Sequence, residues 1–469
     1  MKNALWILAA AFAASCTTPA EAPPLPSGIE VRLITLDPGH FHASLVQKVM
    51  YPEVSPLVRV YAPDGAELRD HLARIAGFNS RLEDPTRWQE DVYKGPDFLE
   101  RMIREKRGNV VVISGNNRDK ARYIKASVDA GLNVLADKPM CIDTEGFGLV
   151  KTALNEAGTK GLLLYDIMTE RSEITTVLQR ELAAVPAVFG ELSKGTPDEP
   201  AVVMSSVHHF LKSVAGAPLI RPAWFFDVAQ QGEGLADVAV HLVDLVPWVC
   251  FPDRALGAAR EVELVGAERW PTSLSRSEFK TVTNLEDFPE FLMKDVRAEA
   301  LQVYCNGRID YRLRGVHVRV TVTWNFQPPE GGGDTHFSVI RGTKAHLLIL
   351  QEREQQYRPE LYVQAAPGVA ARDLAASLAQ AVSVLEKKYP GLGLAEEKGR
   401  WRVVIPDAFR VGHEAHFGQV TERFLRYLKD GRLPAWEVAN MTAKYGLTTR
   451  ALALAKARDL RKDQALPAK

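Results

Sequence analysis

Apolar and polar positions along the chain sort into two regimes that change near residue 185. In the first, short runs that are apolar at nearly every position alternate with stretches whose apolar residues recur at helical spacing. IEVRLITL (29–36) is such a run, broken by Asp37-Pro38-Gly39 and followed by the helical HASLVQKVM. PLVRVYAP (56–63) ends at Pro63-Asp64-Gly65 and precedes the helical AELRDHLARIAGF. GPDFLERMIREKR then reads as a helix, NVVVISG (109–115) as a strand and RDKARYIKASVDAG as a helix closed by Gly131. NVLAD is a strand, TEGFGLVKTALNEAG a helix and GLLLYDI (161–167) a further strand. Strands without polar alternation need cover on both faces, which predicts a parallel sheet. Right-handed crossovers make it a doubly wound, Rossmann-like α/β domain.

Beyond the change, AVVMSSVHHF, REVELVGAERW, EALQVYCNG, RIDYRLRG, VHVRVTVTWNF, THFSVIRGT and AHLLILQ read as longer strands with partial alternation. No helices separate most of them, which predicts a mainly antiparallel sheet in an α+β domain. PPEGGGD (328–334) is a loop between two strands, and helix returns from about His413 to Asp459. The expected organisation is a leader and tether over 1–27, a dinucleotide-type domain over 28–168, and a substrate domain with closing helices over 169–469.

The total of 469 residues agrees with two domains. Lys+Arg and Asp+Glu both total 58, so net charge names neither nucleic acid nor an anionic membrane as partner. Met1-Lys2-Asn3, the apolar 4–14 and Ala13-Ala14-Ser15-Cys16 have the layout of a secretory signal, and the run is too short to span a bilayer. Cys16 resembles the lipidation site of bacterial lipoproteins, which implies export to the periplasm and a membrane link only through that anchor. The alternative is an unprocessed signal with an incidental cysteine. TTPAEAPPLPSG then fits a flexible tether. Cys141, Cys250 and Cys305 match no zinc or haem spacing and are expected to be structural, with one disulfide open to an exported chain.

Ligands of open parallel sheets sit at the carboxyl ends of the strands. LDPGHFHA, SGNNRD and DKPMC therefore point at one crevice. Lys138 can there hold a cofactor group or exchange a proton with a substrate hydroxyl; the competing reading is an ordinary surface lysine. Pro139 fixes the turn, with a cis bond as one option. In GEGLADVAVHLVDLVPWVC (232–250), Asp237, His241 and Asp244 recur at helical intervals, so Asp237 and His241 would project together as an acid/base pair. No third metal ligand accompanies them, and no metal is expected. Trp224-Phe225-Phe226 reads as core rather than a sugar platform.

These motifs resemble the Gfo/Idh/MocA oxidoreductases. ADKP is similar to that family's Glu-Lys-Pro turn, with Asp137 in place of Glu. GEGLADVAVHLVDL resembles its Gly-rich loop and Asp-x-x-x-His-x-x-Asp helix. FSVIRGTKAHLLI looks like its second-domain hairpin, and FGQVTERFLRYLKDGRLPAWEVANMTAKYGLTTRALALA its closing helices. The resemblance runs from about 29 to 460. It implies NAD, with NADP second, held by Gly39, His40, Phe41, His42, Asp64, Ser114, Asn116, Asn117, Asp137 and Lys138. Lys138, His241 and Asp237 become catalytic, with His208, His209, Glu233 and Asp166 as candidate substrate contacts; alternation admits only one of the two histidines to the site. The implied function is oxidation or reduction of a carbohydrate or glycoside hydroxyl, and self-association is compatible with it. Export argues for a tightly held cofactor, because no obvious pool reoxidises free NADH outside the cytoplasm.

Two departures stand against this. DPGHFH keeps only Gly39 of the Gly-x-Gly-x-x-Gly turn, with Asp37 and His42 at the other glycine positions. The ribose-binding acid is expected near Ala62, two residues before Asp64. The alternatives are a glycosidase or epimerase working through transient NAD oxidation, and a carbohydrate-binding lipoprotein without cofactor.

Overall fold

Six strands form one parallel sheet: Leu33–Leu36 (β1), Leu57–Ala62 (β2), Gln89–Lys94 (β3), Val110–Ile113 (β4), Asn133–Asp137 (β5) and Leu164–Ile167 (β6). Their order in the sheet, β3-β2-β1-β4-β5-β6, is doubly wound with its switch point between β1 and β4. The computed structural model describes residues 30–214 and 217–465; the leader, the tether and Cys16 lie outside the described residues. The strands β1, β4 and β6 are buried at every position, as the unbroken apolar runs require. β3 is the strand that the pattern did not announce. Its sequence QEDVYK is polar and half exposed because it closes the sheet edge, where only one neighbour covers it.

The second sheet has ten strands. Its long members, Val262–Leu274, Ala300–Leu313 and Val316–Asn325, pair antiparallel in series. The two runs read as separate strands over 299–315 are one strand, because Asn306-Gly307 continues the ladder without a turn. One pairing departs from the antiparallel pattern: Val316–Asn325 lies parallel to Val202–His209, in register from Val318 with Val202 to Asn325 with His209. A mixed, mostly antiparallel sheet is the result. Among the described residues, no helix is long and apolar enough to cross a membrane.

The closing helices do not belong to the second domain alone. Helix His413–Asp430 buries Phe417, Val420, Phe424 and Leu425 in the core of the parallel sheet. Helix Ala435–Ala465 places Met441 and Tyr445 in that core and Ala443, Leu447, Ala451 and Leu452 in the other. The closing helices therefore pack against both sheets.

Candidate active site

The carboxyl ends of β1, β4 and β5 open onto a cavity of about 960 Å³ walled on its other side by the second sheet and the closing helices. Lys138 follows β5, and the Lys138–Pro139 peptide is cis. Its Nζ lies 2.8 Å from Asp237 Oδ1 and donates to the Asp237 carbonyl at 3.3 Å. Gln231 donates to the other carboxylate oxygen of Asp237 at 2.9 Å. The helix breaks at Val238, between Gly234–Asp237 and Ala239–Cys250. Asp237 and His241 nonetheless both line the cavity. Burial, then the positive charge of Lys138, hold His241 well below the ordinary histidine pKa. The ring is therefore neutral near pH 7, and among the described residues its Nδ1 has no hydrogen-bond partner. A neutral imidazole beside an ammonium–carboxylate pair is competent to take or return a proton.

Asp137 is buried. Ser114 Oγ donates to its Oδ2 at 2.9 Å, and Lys120 Nζ donates to its backbone carbonyl at 3.1 Å. Burial alone would raise this carboxyl; the adjacent His42, Lys120 and His40 outweigh it and hold it well below the usual range. His42 Nδ1 sits 2.9 Å and His40 Nδ1 3.9 Å from Asp137 Oδ2. One ligand atom from each of His40, His42 and Asp137 falls within 4.8 Å of the others, so this set can hold a metal ion.

The other candidates separate into those facing the cavity and those elsewhere. His40, Phe41, His42, Asn117 and His208 line it. His208 lies over Trp324, with ring centroids 5.1 Å apart, and bonds Ser206 Oγ at 3.0 Å. His209, its sequence neighbour, is 2 % exposed, does not line the cavity, and bonds the same Asp334 carboxylate that His208 reaches. Asn116 and Asn117 bond Gln230 and the Gln231 carbonyl, clamping the second domain to the end of β4.

Three assignments are corrected. Asp166 is fully buried and accepts hydrogen bonds from Lys444 at 2.7 Å and Tyr445 at 2.8 Å; it anchors the last helix to β6 instead of meeting substrate. Glu233 is equally enclosed, paired with Arg269 at 2.7 Å and Lys456 at 3.0 Å. Asp64 is exposed beside Arg69 and Lys94 and takes no part in the cavity wall. Asp244, the third repeat of the helical pattern, accepts both Arg171 and Lys444 in the same buried network as Asp166. Among the described residues no disulfide joins Cys141, Cys250 and Cys305, which are free thiols there.

The turn after β1 does not fit a dinucleotide as folded. A pyrophosphate needs free backbone amides at a helix start. Here the Gly39 amide donates to the Asp37 carbonyl at 2.8 Å, the His40 amide to the Ser114 carbonyl at 3.3 Å and the His42 amide to His40 Nδ1 at 3.3 Å. The helix that follows, His42–Leu45, has only four residues. Gly115 lets β4 touch this turn, because a Cβ there would overlap the Asp37 carbonyl oxygen. Asp37 has φ +46°, and its carboxylate accepts from Tyr123 at 3.2 Å. The crevice at the switch point is thus closed by backbone, with two imidazoles above it.

Several cavity residues were not anticipated. His413 and His416 open the penultimate helix as His-x-x-His, a spacing that shares one helical face. Asp334 closes the Gly-rich loop and gathers His208, His209 and Lys212. Arg221 stacks on Phe225, with its guanidinium 4.3 Å from the ring centroid, and burial lowers its pKa to about 10. Burial, then the Glu173 charge, pushes Glu170 up to about 7. Only the histidine spacing carried a sequence signal; the rest come from segments that meet in space alone.

The model of the "Putative oxidoreductase C terminal domain" family matches residues 178–456. A crystal structure of a "putative oxidoreductase" from Parabacteroides merdae is 55 % identical over 92 % of this chain and 98 % of its own, with TM-score 0.90. Levoglucosan dehydrogenase, solved in complex with NADH and levoglucosan, is 14 % identical over 91 % of this chain and 98 % of its own, with TM-score 0.58. A mutant of a 3-ketoreductase from Actinomadura kijaniata, solved with TDP-benzene and NADP, is 13 % identical over 90 % of this chain and 97 % of its own, with TM-score 0.53. The last two share the fold. No curated protein matches significantly. The two-sheet architecture, the Asp137-Lys138-Pro139 turn, the Asp237–His241 segment and these matches together make the chain a member of the Gfo/Idh/MocA-like oxidoreductase family, in the group that carries the oxidoreductase C-terminal domain.

Proposed function

We propose that the chain is an enzyme acting at a hydroxyl-bearing carbon of a carbohydrate or glycoside, with Lys138 and His241 moving the hydroxyl proton. The observation that carries this reading is the 2.8 Å Lys138–Asp237 pair beside the neutral ring of His241, both lining one cavity. Asp237 orients the Lys138 ammonium, and His241 accepts or returns the proton. His208 on Trp324, with Arg221 and Asp334 close by, supplies the mix of apolar face and convergent polar groups that ligand pockets use. NAD, with NADP second, is the cofactor this reading calls for. Its binding is the first quantity to measure, because the turn after β1 must open to seat a pyrophosphate.

The test is turnover of a panel of sugars and glycosides by the purified full chain, with and without added NAD or NADP. Calorimetric titration with each dinucleotide and mass analysis of released cofactor accompany it. Lys138→Ala and His241→Ala are expected to lower turnover by roughly 10²–10⁴-fold with the fold intact. Unchanged turnover in both variants sinks the assignment. Export and lipidation at Cys16 belong to the same proposal; membrane fractionation and lipid labelling of Cys16→Ser against the parent test them.

A further inference from the structure

We propose that His40, His42 and Asp137 form a site for one divalent first-row transition-metal ion, of the zinc or ferrous-iron class, open to the cavity. Two imidazoles and a carboxylate each bring a ligand atom within 4.8 Å of the others. His40 Nδ1 accepts the His42 amide at 3.3 Å, so it is unprotonated, and a metal would take over the lone pair that this long bond now uses. It lies 3.9 Å from Asp137 Oδ2, while His42 Nδ1 lies 2.9 Å from the same oxygen. Metal–ligand bonds of roughly 2.0–2.1 Å at tetrahedral angles put neighbouring ligand atoms about 3.3 Å apart, between those two values.

A second observation points to a missing partner. Asp137 is 3 % exposed, and among the described residues its Oδ1 has no hydrogen-bond partner, while Oδ2, the oxygen beside the two histidines, is held by Ser114 and His42. An unpartnered carboxylate oxygen in the interior is costly, and a cation removes that cost. The outer surroundings agree. His42 Nε2 faces His413 Nε2 at 3.4 Å, so a metal on Nδ1 leaves the proton on Nε2 with an acceptor opposite. Ser114 Oγ holds Asp137 from behind at 2.9 Å. The two nearby ammonium groups are turned to other partners, Lys120 to the Asp137 backbone carbonyl and Lys138 to Asp237.

Two nitrogens and one carboxylate suit zinc or ferrous iron, and three protein ligands leave coordination positions facing the cavity. An ion there would polarise a hydroxyl or carbonyl oxygen of a bound substrate. The site shares its cavity with the proposed acid–base pair but does not depend on the carbohydrate reading.

Metal content of the full chain, purified without chelator, is measured by plasma mass spectrometry. Chelator-stripped protein is then titrated with Zn²⁺ and with Co²⁺, whose visible bands report nitrogen and oxygen ligation. One equivalent per chain is expected. His40→Ala, His42→Ala and Asp137→Asn should each weaken binding by at least about ten-fold, while His336→Ala, a cavity histidine outside the set, should not. Circular dichroism melts check folding, and His40→Ala, the substitution at the most exposed of the three ligands, serves if the buried variants fail to fold. Wild-type protein that takes up neither ion, or a His40→Ala variant that binds as well as wild type, overturns the proposal. Metal binding without carbohydrate turnover leaves the site standing and removes the function proposed above; turnover without metal does the reverse.

Discussion

At the scale of single residues, burial decides which groups are chemically available. His71, His336 and His416 have their pKa values lowered to about 4, and His413 to about 3, with burial the largest cause in each. The folded state therefore binds fewer protons than the unfolded chain, where histidine titrates near 6.5. Stability from these groups is complete above pH 6.5 and is lost as pH falls toward 4. Urea midpoints measured between pH 7.5 and 4 are expected to decline below about 6.5; a flat profile down to 4 would contradict the buried neutral histidines. Gly115 makes a second case. Gly115→Ala forces its new methyl against the Asp37 carbonyl, and either the turn after β1 or the end of β4 must move. A loss of about 1–3 kcal/mol is expected, read by chemical denaturation; a neutral effect would mean that the two loops are not in contact.

At the scale of elements, a buried charge network decides how the last helix docks. Arg171 grips Asp244 and Glu437, and Lys444 bridges Asp244 and Asp166, all within the interior. Lys444→Ala leaves two carboxylates buried with too little positive charge. Breaking such a pair costs about 3–5 kcal/mol. Replacing Lys444 in equilibrium unfolding should show a loss of that size, and a change below about 1 kcal/mol would place the network in a wetter setting than described. This is also where the sequence reading erred. Asp166 ends a strand at the sheet's ligand-binding end and Glu233 precedes the Asp237–His241 helix, so both had the position of a site residue. Neither position reveals that Lys444 or Arg269, far away in the chain, reaches it first. β3 escaped notice for a related reason: an edge strand needs little apolar content, so QEDVYK carries no periodic signal.

For the whole molecule, the shared closing helices bind two sheets into one cooperative body. Helix Ala435–Ala465 contributes side chains to both hydrophobic cores. Calorimetry is expected to show a single unfolding transition, and removing residues 435–465 should leave neither domain stably folded. Two separated transitions in the intact chain would refute that coupling. The cavity depends on the same arrangement, since His413 and His416 reach it only because the penultimate helix packs across the first sheet.

The chain's own pattern was enough to determine the parallel sheet with helices on both faces, the mostly antiparallel second sheet, the placing of Lys138 at a strand's carboxyl end and the pairing of Asp237 with His241 along one helical segment. Those features follow from local periodicity and from the rule that ligands meet parallel strands at their carboxyl ends. Only the tertiary structure decided that Asp166, Glu233 and Asp64 stand outside the cavity, that His413 and Asp334 stand inside it, and that amides of the turn after β1 are taken by the turn itself and by the end of β4. Each of these is a matter of which distant group is nearest in space and of how much water is left around it. A linear sequence specifies neither quantity until the chain has folded.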